Sequence, residues 1–248
     1  MQAVVLAAGT GSRLKDLTRA LPKALIPVNG RPLLTYALGF ARAVGCEQIV
    51  VVTGAFREKV EQLLARVQGL PGLAWVHNPD FLKGNLYSLG AARPKLGGAF
   101  LLLNTDHVYH RELAARVRAQ CRGLTAFCDQ DRQLGADDMK VRLDPQGRLA
   151  AIAKTLTEFQ RGYVGMTFCP AERRQDYWRA FDQVAAEQGD KAVVEQVLAR
   201  LAAQGAPAEI GDISGPGWLE IDTQDERQRA EQAIQTRPQD YLAAEVSA

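Results

Sequence analysis

Short apolar segments rich in β-branched residues alternate with segments of helical periodicity through the first half of the chain. Strands are predicted at Ala3–Leu6, Gln48–Thr53, Leu73–Val76 and Ala99–Leu103. Helices are predicted between and after them, at Pro32–Val44, Glu58–Val67, Gly84–Ala92 and Glu112–Ala119. Continuous apolar strands that alternate with helices are typical of a parallel sheet covered on both faces. This alternation predicts an α/β fold with a mostly parallel sheet flanked by helices.

A different pattern begins after Leu124. Met139–Leu143 and Leu149–Ala153 flank a turn at residues 144–147, which predicts an antiparallel β-hairpin. A strand at Val164–Phe168, two helices near residues 171–187 and 191–204, a strand at Trp218–Ile221 and a polar helix from Thr223 follow. We expect one Rossmann-like domain over residues 1–236, with the hairpin inserted over one end of the sheet at about residues 130–168. Residues 237–248 have no apolar periodicity and are predicted to form a flexible tail.

Charge and cysteine content exclude several classes of protein. The net charge of +2 predicts neither a nucleic-acid track nor an acidic membrane surface as partner. No apolar run approaches the ~20 residues that span a bilayer. Four cysteines without a CxxC pair are predicted to be reduced thiols. We therefore expect a cytoplasmic chain that neither binds nucleic acid nor inserts into a membrane.

A glycine-containing loop follows the first predicted strand, with the sequence LAAGTGSRL from Leu6 to Leu14. Small residues let successive backbone N–H groups approach a phosphate, and Arg13 can add a charge-assisted donor pair. The dinucleotide fingerprint fails because its third glycine would be Leu14, and no P-loop motif is present. Downstream, Lys23 lies between prolines in LPKALIPV, which suits a cation held over a triphosphate. The two segments together predict a phosphate-binding site.

Two aspartates directly follow predicted strands. Asp106 follows Ala99–Leu103, and Asp222 ends the strand Trp218–Ile221. Ligands of open parallel sheets bind at the carboxyl ends of the strands, and Mg²⁺ prefers one or two carboxylates plus phosphate oxygens. Each aspartate can also serve as a helix or turn cap. The pattern predicts that Asp106 and Asp222 hold Mg²⁺ as a cofactor.

The loop and lysine motifs, LAAGxGSRL and LPKALIPV, resemble the signature of the sugar-nucleotide and alcohol-phosphate nucleotidyltransferase superfamily. Three further segments, KGNLYSL from Lys83, DHVY from Asp106 and WLEIDT from Trp218, are similar to CTP:inositol-1-phosphate cytidylyltransferases. The segment from Met139 to Lys154 is also similar to these enzymes, and the resemblance covers about residues 2–230. It implies an Mg²⁺-dependent enzyme that transfers CMP from CTP to a small phosphorylated alcohol, first of all inositol 1-phosphate, with release of pyrophosphate.

The resemblance also implies roles for individual residues. The catalytic residues are expected to be Arg13, Lys23, Asp106 and Asp222, of which the two aspartates are the metal ligands. Nucleotide contacts are expected from the loop and from the segment after the third strand: Leu6, Ala7, Ala8, Gly9, Thr10, Gly11, Ser12, Asn78, Gly84, Asn85 and Ser88. Acceptor contacts are expected from Lys154, on the phosphate, and from His107, Tyr109, Lys140 and Gly165. Because a phosphate nucleophile is already ionised, His107 is expected to position groups rather than act as a base.

Expected partners are CTP, the phosphorylated alcohol and a separate membrane-bound alcohol phosphotransferase that uses the product, since family members can be fused to such a domain. The chain itself is expected to be a monomer or a homodimer.

Several alternatives remain open from the sequence. Phosphocholine would require aromatic side chains around a quaternary ammonium, and Tyr87, Tyr109, Tyr163 and Trp178 are candidates. Inositol would require hydrogen-bonding groups such as Asp137, Asp138, Lys140 and Arg161. Another polyol phosphate, uridylyl or thymidylyl transfer to a sugar 1-phosphate, and a non-catalytic regulatory subunit of the same fold are further alternatives.

Overall fold

The structure is a computed structural model that describes residues 1–11, 14, 21–70 and 72–247. Its strands are, in chain order, β1 (Gln2–Leu6), β2 (Pro27–Val28), β3 (Arg31–Pro32), β4 (Gln48–Thr53), β5 (Leu73–His77), β6 (Phe100–Asn104), β7 (His107–Tyr109), β8 (Thr125–Asp129), β9 (Lys140–Leu143), β10 (Leu149–Ala153), β11 (Arg161–Cys169), β12 (Glu209–Asp212) and β13 (Trp218–Glu220). Its α-helices are α1 (Leu33–Val44), α2 (Arg57–Leu64), α3 (Asn85–Ala92), α4 (Glu112–Gln120), α5 (Arg174–Gln188), α6 (Glu195–Ala203) and α7 (Gln224–Thr236). Within the described ranges, none of the helices is both long enough and apolar enough to span a bilayer.

The central sheet is parallel on one side and antiparallel on the other. Strand β1 pairs in parallel with β4 and β6, and β5 pairs in parallel with β4. Strand β11 then joins β6 antiparallel and continues the sheet to the β9–β10 hairpin. Strand β8 pairs with β11, and β12 pairs with β8. The predicted α/β fold, a mostly parallel sheet flanked by helices with a small antiparallel hairpin, is confirmed.

Apolar residues of β1 alternate between the two faces of the sheet. Val4 and Leu6 pack with α3, α5 and α6, whereas Ala3 and Val5 pack with α1, α2 and α4. This period of two follows from the pleat of a strand, and residues apolar at every position are the sign of a sheet buried on both faces. Both helix layers therefore hold β1 in the centre of the molecule.

The register of β1 determines where its following loop lies. Leu6 is paired with Val52 of β4 and with Asn104 of β6. The Thr105 hydroxyl donates a hydrogen bond to the Leu6 carbonyl at 3.0 Å. The glycine-containing loop and the residues after β6 consequently lie at the same edge of the sheet, where open α/β folds bind ligands.

A two-stranded ribbon brings the end of the chain to this edge. Strands β7 and β13 pair antiparallel, with Glu220 opposite His107. Helix α7 then begins with a capping box in which Thr223 and Glu226 satisfy each other's backbone N–H groups. Asp222 lies between the ribbon and this cap, so its backbone is fixed from both sides.

Several features of the fold were not predicted from the sequence. Strands β2, β3, β7, β8 and β12 lie where no strand was predicted, and the segment after α7 packs on the rest of the chain. The Ala244 N–H donates to the Thr35 carbonyl at 2.8 Å, and the Ser247 N–H donates to the Arg66 carbonyl at 2.9 Å. Backbone hydrogen bonds, which leave no apolar periodicity in the sequence, therefore tie the segment predicted as a tail to α1 and to the end of α2.

Candidate active site

Three of the predicted catalytic residues form one cluster. The Lys23 ammonium donates to Asp106 Oδ2 at 2.9 Å and to Asp222 Oδ1. The three side chains are largely buried, with exposed fractions of 12% for Lys23, 26% for Asp106 and 13% for Asp222. The structure therefore brings together a lysine and two aspartates that lie far apart in the sequence, with the cation between the two anions.

The backbone holds the two aspartates side by side. The Ile221 N–H donates to the Asp106 carbonyl at 2.9 Å, which continues the pairing of β7 with β13 past the ends of both strands. The Asp222 N–H donates to Glu226 at 2.8 Å. Because these contacts are made by the main chain and the helix cap, the distance between the aspartates depends little on the Lys23 side chain.

The charges in this cluster stabilise one another. Burial by itself raises the pKa of Asp106, but the neighbouring Lys23 and His107 outweigh burial and keep that pKa well below its usual range. Burial likewise lowers the pKa of Lys23, whereas Asp106 and Asp222 raise it overall. Asp106 and Lys23 are accordingly charged at neutral pH.

His107 connects this cluster to the ribbon. Its Nε2 atom lies 3.5 Å from Asp106 Oδ1 and 3.7 Å from Glu220 Oε1. Burial lowers the pKa of His107, but these two carboxylates raise it overall. Its Nδ1 lies 3.2 Å from the Tyr109 hydroxyl, which itself donates to the Val164 carbonyl at 2.8 Å. His107 is thus fixed in a network that suits orientation of Asp106.

A cavity of about 200 Å³ lies beside the glycine-containing loop. Most of the predicted nucleotide contacts line it, namely Leu6, Ala7, Ala8, Gly9, Asn85 and Ser88, together with Lys23 and Asp106. Sequence reasoning missed Ala24, Phe81, Lys83, Asn104 and Thr105, which line the same space. We call this space the nucleotide cavity.

The other predicted nucleotide contacts have different positions. Asn78 is buried, and its side-chain amide donates to the Ser88 hydroxyl at 3.0 Å, so it supports a wall residue. Gly84 precedes α3 and packs on Ala192, so closely that an added Cβ would lie 1.9 Å from the Ala192 carbonyl oxygen. Thr10 is exposed, and Gly11 has a φ of 69°. The predicted contacts at Ser12 and Arg13 lie outside the described residues.

A second cavity of about 410 Å³ meets the cluster from the antiparallel side of the sheet, and we call it the acceptor cavity. Of the predicted site residues, Lys154, His107, Gly165, Asp106, Asp222 and Asn85 line it. Gly165 has a φ of 67°, and an added Cβ there would lie 2.4 Å from the Asn104 side-chain nitrogen. Only glycine accommodates both the left-handed backbone and this contact. Asp106 lines both cavities, and Asp222 lines the acceptor cavity.

Tyr109 and Lys140 were expected to contact the acceptor, but neither lines the acceptor cavity. The Tyr109 hydroxyl is engaged with Val164 and His107 in the core. The Lys140 ammonium donates to the carbonyl oxygens of Gly135 and Lys154 at 2.8 Å each. Each of these two residues was predicted to line the cavity, but in the structure each supports the cavity wall from behind.

The residues that were candidates for distinguishing phosphocholine from inositol also lie in different places, some in the cavity wall and some elsewhere. Asp137, Asp138 and Tyr163 line the acceptor cavity. Trp178 instead packs in the core, with its ring 5.7 Å from that of Phe100. Among the described residues, Tyr87 and Arg161 do not line this cavity either. The aromatic side chains predicted for a choline pocket are therefore not assembled in one place.

Several polar residues of the acceptor cavity were missed by sequence reasoning: Asp129, Arg132, Glu195 and Glu220. Asp129 is the last residue of β8, much as Asp106 lies just after β6. The sequence signal that could have identified it is the short segment TAFC followed by an aspartate. It was missed because β8 itself was not predicted. Glu220 accepts a hydrogen bond from Arg132 at 2.9 Å. Burial raises the pKa of Glu220, but His107 and Arg132 lower it to about 2.

Comparisons with known proteins identify the family of this chain. The family model described as "MobA-like NTP transferase domain" matches residues 3–201. A CMP-5'-(3-aminopropyl)phosphonate synthase from Streptomyces rubellomurinus is 32% identical, over 93% of this chain and 38% of that protein. A bifunctional IPC transferase and DIPP synthase from Aquifex aeolicus is 28% identical, over 94% of this chain and 51% of that protein. The chain thus spans about half, or less, of the length of these relatives.

A solved structure shares the fold along almost the whole chain. The inositol-1-phosphate CTP transferase from T. maritima superposes with a TM-score of 0.80, covering 95% of this chain and 96% of that chain. The sequence identity over this match is 19%. The likeness therefore concerns the fold.

Proposed function

This chain belongs to the family of MobA-like NTP transferase domains, and from this premise we propose that it transfers CMP from CTP to a small phosphorylated alcohol. The reaction would release pyrophosphate and form a CDP-alcohol. Inositol 1-phosphate is the acceptor that the sequence resemblance predicts, and phosphocholine is its alternative. The name of the Streptomyces relative contains CMP, which supports CTP as the donor.

The cluster of Lys23, Asp106 and Asp222 is the observation that carries this proposal. Asp106 lines both the nucleotide cavity and the acceptor cavity. Transfer requires the α-phosphorus of the donor and the phosphate of the acceptor to meet in line, and both molecules are anionic. The buried Lys23, paired with an aspartate that lines both cavities, supports a site where two anionic substrates meet.

The residues of the cluster also fit a magnesium ion. Asp106 Oδ1 is buried and has no hydrogen-bond partner, and a cation, the Lys23 ammonium, already lies between the two aspartates. In the described part of the chain no group of three or more His, Cys, Asp and Glu side chains has metal-binding geometry. Two carboxylates supplemented by phosphate oxygens and water are a set that Mg²⁺ uses. When bound by Asp106 and Asp222, Mg²⁺ would supply positive charge that offsets the repulsion between donor and acceptor phosphates.

The chain's own groups account for the remaining requirements. The backbone of Ala7–Gly9 approaches the nucleotide cavity without side chains that block it, which suits the donor phosphates. Lys23 is charged and positioned to stabilise the negative charge that develops on the departing pyrophosphate. Lys154, at the end of β10, is the cation available for the acceptor phosphate. An oxygen of that phosphate forms the new bond to the α-phosphorus while the bond to the pyrophosphate oxygen breaks.

A pyrophosphate-release assay tests this proposal. The full chain is incubated with Mg²⁺, one of CTP, UTP or dTTP, and a panel of phosphorylated alcohols that includes inositol 1-phosphate, phosphocholine and glucose 1-phosphate. We expect release with CTP and at least one alcohol phosphate. Turnover with UTP or dTTP and glucose 1-phosphate would instead establish the sugar-nucleotide alternative. Nucleotide binding without any turnover would indicate a regulatory subunit.

A further inference from the structure

Three of the described residues line both the nucleotide cavity and the acceptor cavity, namely Asn85, Asn104 and Asp106. The phosphoryl group that is transferred belongs to the donor before the reaction and to the acceptor's product afterwards. A side chain that faces both cavities is therefore placed to contact this group during the step. Asp106 already has a role toward the cation, whereas no step described above uses the two asparagines.

The pleat of β6 directs Asn104 to the face of the sheet that α3 covers. Phe100 and Leu102 of β6 belong to the same buried apolar cluster as the core residues of α3. Because side chains alternate along a strand, Asn104, two positions after Leu102 at the end of β6, points to that same face. Asn85 is the first residue of α3. The packing of β6 against α3 thus brings two side-chain amides to one place.

The amide of Asn104 is available to a ligand. The residue is half-buried, and within the described part of the chain its side chain makes no hydrogen bond. A Cβ built on Gly165, which also lines the acceptor cavity, would lie 2.4 Å from the Asn104 side-chain nitrogen. Glycine at this position therefore leaves room for the amide. A half-buried amide without a protein partner is a group that a substrate can satisfy.

Asn85 presents a donor to the same space. Its Oδ1 accepts a hydrogen bond from the Val194 N–H at 2.9 Å, which fixes the orientation of the amide. The NH₂ group of Asn85 is accordingly the part that remains for a ligand. Phosphate oxygens accept hydrogen bonds, so they match this group and the NH₂ group of Asn104.

Neutral donors have an advantage beside so many carboxylates. The Lys23 ammonium is engaged by Asp106 and Asp222, and Arg132 is paired with Glu220 at 2.9 Å. A further cation at position 85 or 104 would be drawn to the same carboxylates. An amide carries no net charge, so its N–H groups remain directed at the substrate.

We propose, building on the cytidylyl transfer proposed above, that Asn104 is a catalytic residue. Its side-chain NH₂ donates a hydrogen bond to a nonbridging oxygen of the α-phosphate, and Asn85 supplies a second donor. The acceptor oxygen forms its bond to the α-phosphorus while the bond to the pyrophosphate oxygen breaks, and that electron pair leaves with pyrophosphate. The nonbridging oxygens change position as the phosphorus inverts, so fixed donors stabilise the transition state more than the bound substrates.

Steady-state kinetics of Asn104 variants test this role. Pyrophosphate release is measured with the nucleotide and acceptor that the wild type uses best. We expect Asn104→Ala to lower kcat at least about tenfold and to change each KM less than about threefold, as for a donor that acts in the transition state. Asn104→Asp keeps the shape but replaces the donor with a negative charge, so it should lower kcat at least as much. Thermal melts verify folding.

Asn29→Gly is the matched control. It removes an amide from the turn between β2 and β3, outside both cavities, and glycine accommodates the φ of 48° at this position. Its kcat should equal that of the wild type. A loss in this variant as large as in Asn104→Ala would contradict a specific role of Asn104.

Sulfur substitution provides a second readout. In the two α-phosphorothioate diastereomers of the nucleotide, sulfur, a weaker hydrogen-bond acceptor, replaces one nonbridging oxygen or the other. We expect Asn104→Ala to reduce the rate difference between the oxygen and sulfur substrates at least about threefold for one diastereomer. A side chain that only packs in the wall would leave this difference unchanged for both, and that result would refute the proposal.

Further results would also refute it. A higher KM for one substrate with near-normal kcat would reduce Asn104 to a binding contact, and a milder loss in Asn104→Asp than in Asn104→Ala would indicate packing. A tenfold higher Mg²⁺ requirement in Asn104→Ala would assign the side chain to the cation. If neither Asn104 variant folds, Asn85→Asp, which keeps the acceptor for the Val194 N–H, should itself lower kcat about tenfold; normal kcat would then overturn the pair.

The wild type separates this inference from the proposed function. Turnover with UTP or dTTP instead of CTP would overturn cytidylyl transfer but leave the role of Asn104 open to the same kinetic tests with that nucleotide. Absence of turnover with every nucleotide and acceptor would overturn both.

Discussion

The nucleotide cavity and the acceptor cavity share Asp106 but are built in different ways. The nucleotide cavity lies at the carboxyl ends of parallel strands, and small residues of the loop after β1 form much of its wall. The acceptor cavity lies on the antiparallel side, and charged side chains from β8, α6 and β13 and from the connecting segments form much of its wall. The first cavity is lined by small loop residues and two lysines, and the second by seven carboxylates among other side chains.

This difference separates the two tasks of a transferase. Backbone N–H groups recognise phosphates through geometry that any small residue can provide, so this half suits the invariant part of the reaction. Side chains on the other half can be exchanged without altering the sheet, so that half suits selection among acceptors. The comparison predicts that substitutions at Asp106 and Lys23 impair the chemical step, whereas those in the acceptor wall alter acceptor choice.

The largest effect is expected for Asp106→Asn, because Asp106 belongs to both cavities. We expect turnover to fall about 100-fold or more, since positioning of charge at the reacting phosphates contributes several kcal/mol. Steady-state pyrophosphate release measures this, and a thermal melt verifies that the variant is folded. Near-normal turnover would show that the shared aspartate is not part of the reaction centre and would remove the basis of the comparison.

Lys23→Ala should have the next largest effect. The substitution leaves two buried carboxylates without their shared cation, so we expect kcat/KM for CTP to fall about 10- to 100-fold. Lys83→Ala is a suitable control because Lys83 lines the same cavity, but it pairs with the exposed Asp80 and Asp190 at 3.2 Å and 3.3 Å. A similar loss in both variants would mean that general positive charge, rather than the buried cluster, acts on the nucleotide.

Lys154→Ala should act on the acceptor half alone. Its side chain is 47% exposed, so the lost interaction is modest, and we expect the acceptor KM to rise about tenfold. The KM for CTP should change less than about twofold. Lys95→Ala, which removes an exposed lysine from outside both cavities, serves as the control. A larger change in the KM for CTP would reassign Lys154 to the nucleotide half.

Gly165→Ala should give the smallest effect, on stability rather than on one substrate. Gly165 has a φ of 67°, and the added Cβ would lie 2.4 Å from the Asn104 side-chain nitrogen. We therefore expect the free energy of unfolding, measured by denaturant titration, to fall by about 1–3 kcal/mol. Gly147→Ala is matched in backbone conformation, with a φ of 80°, but an added Cβ meets nothing within 4 Å. Gly147→Ala should therefore lower the free energy of unfolding less than Gly165→Ala does. Equal losses in the two variants would show that the contact of the added Cβ with Asn104 is unimportant.

The sequence determined the parallel half of the molecule and pointed to the residues proposed for its site. Continuous apolar runs such as Gln48–Thr53 and the loop from Leu6 to Gly11 are local signals, because strand burial and backbone access to a phosphate both depend on neighbouring residues. Lys23, Asp106 and Asp222 were identified in this way, each beside a local motif. The sequence predicted that the two aspartates lie close together, but it did not predict that Lys23 lies between them.

The tertiary structure alone decided the acceptor half. Asp129 and Glu195 come from a strand end and a helix start that line the same cavity only in the folded chain, and no local pattern encodes that proximity. The same holds for Lys140, which two carbonyl oxygens draw into the wall, and for the segment after α7, which main-chain hydrogen bonds hold. Contacts between distant backbone groups leave no periodicity in the sequence, which is why these features required the folded chain.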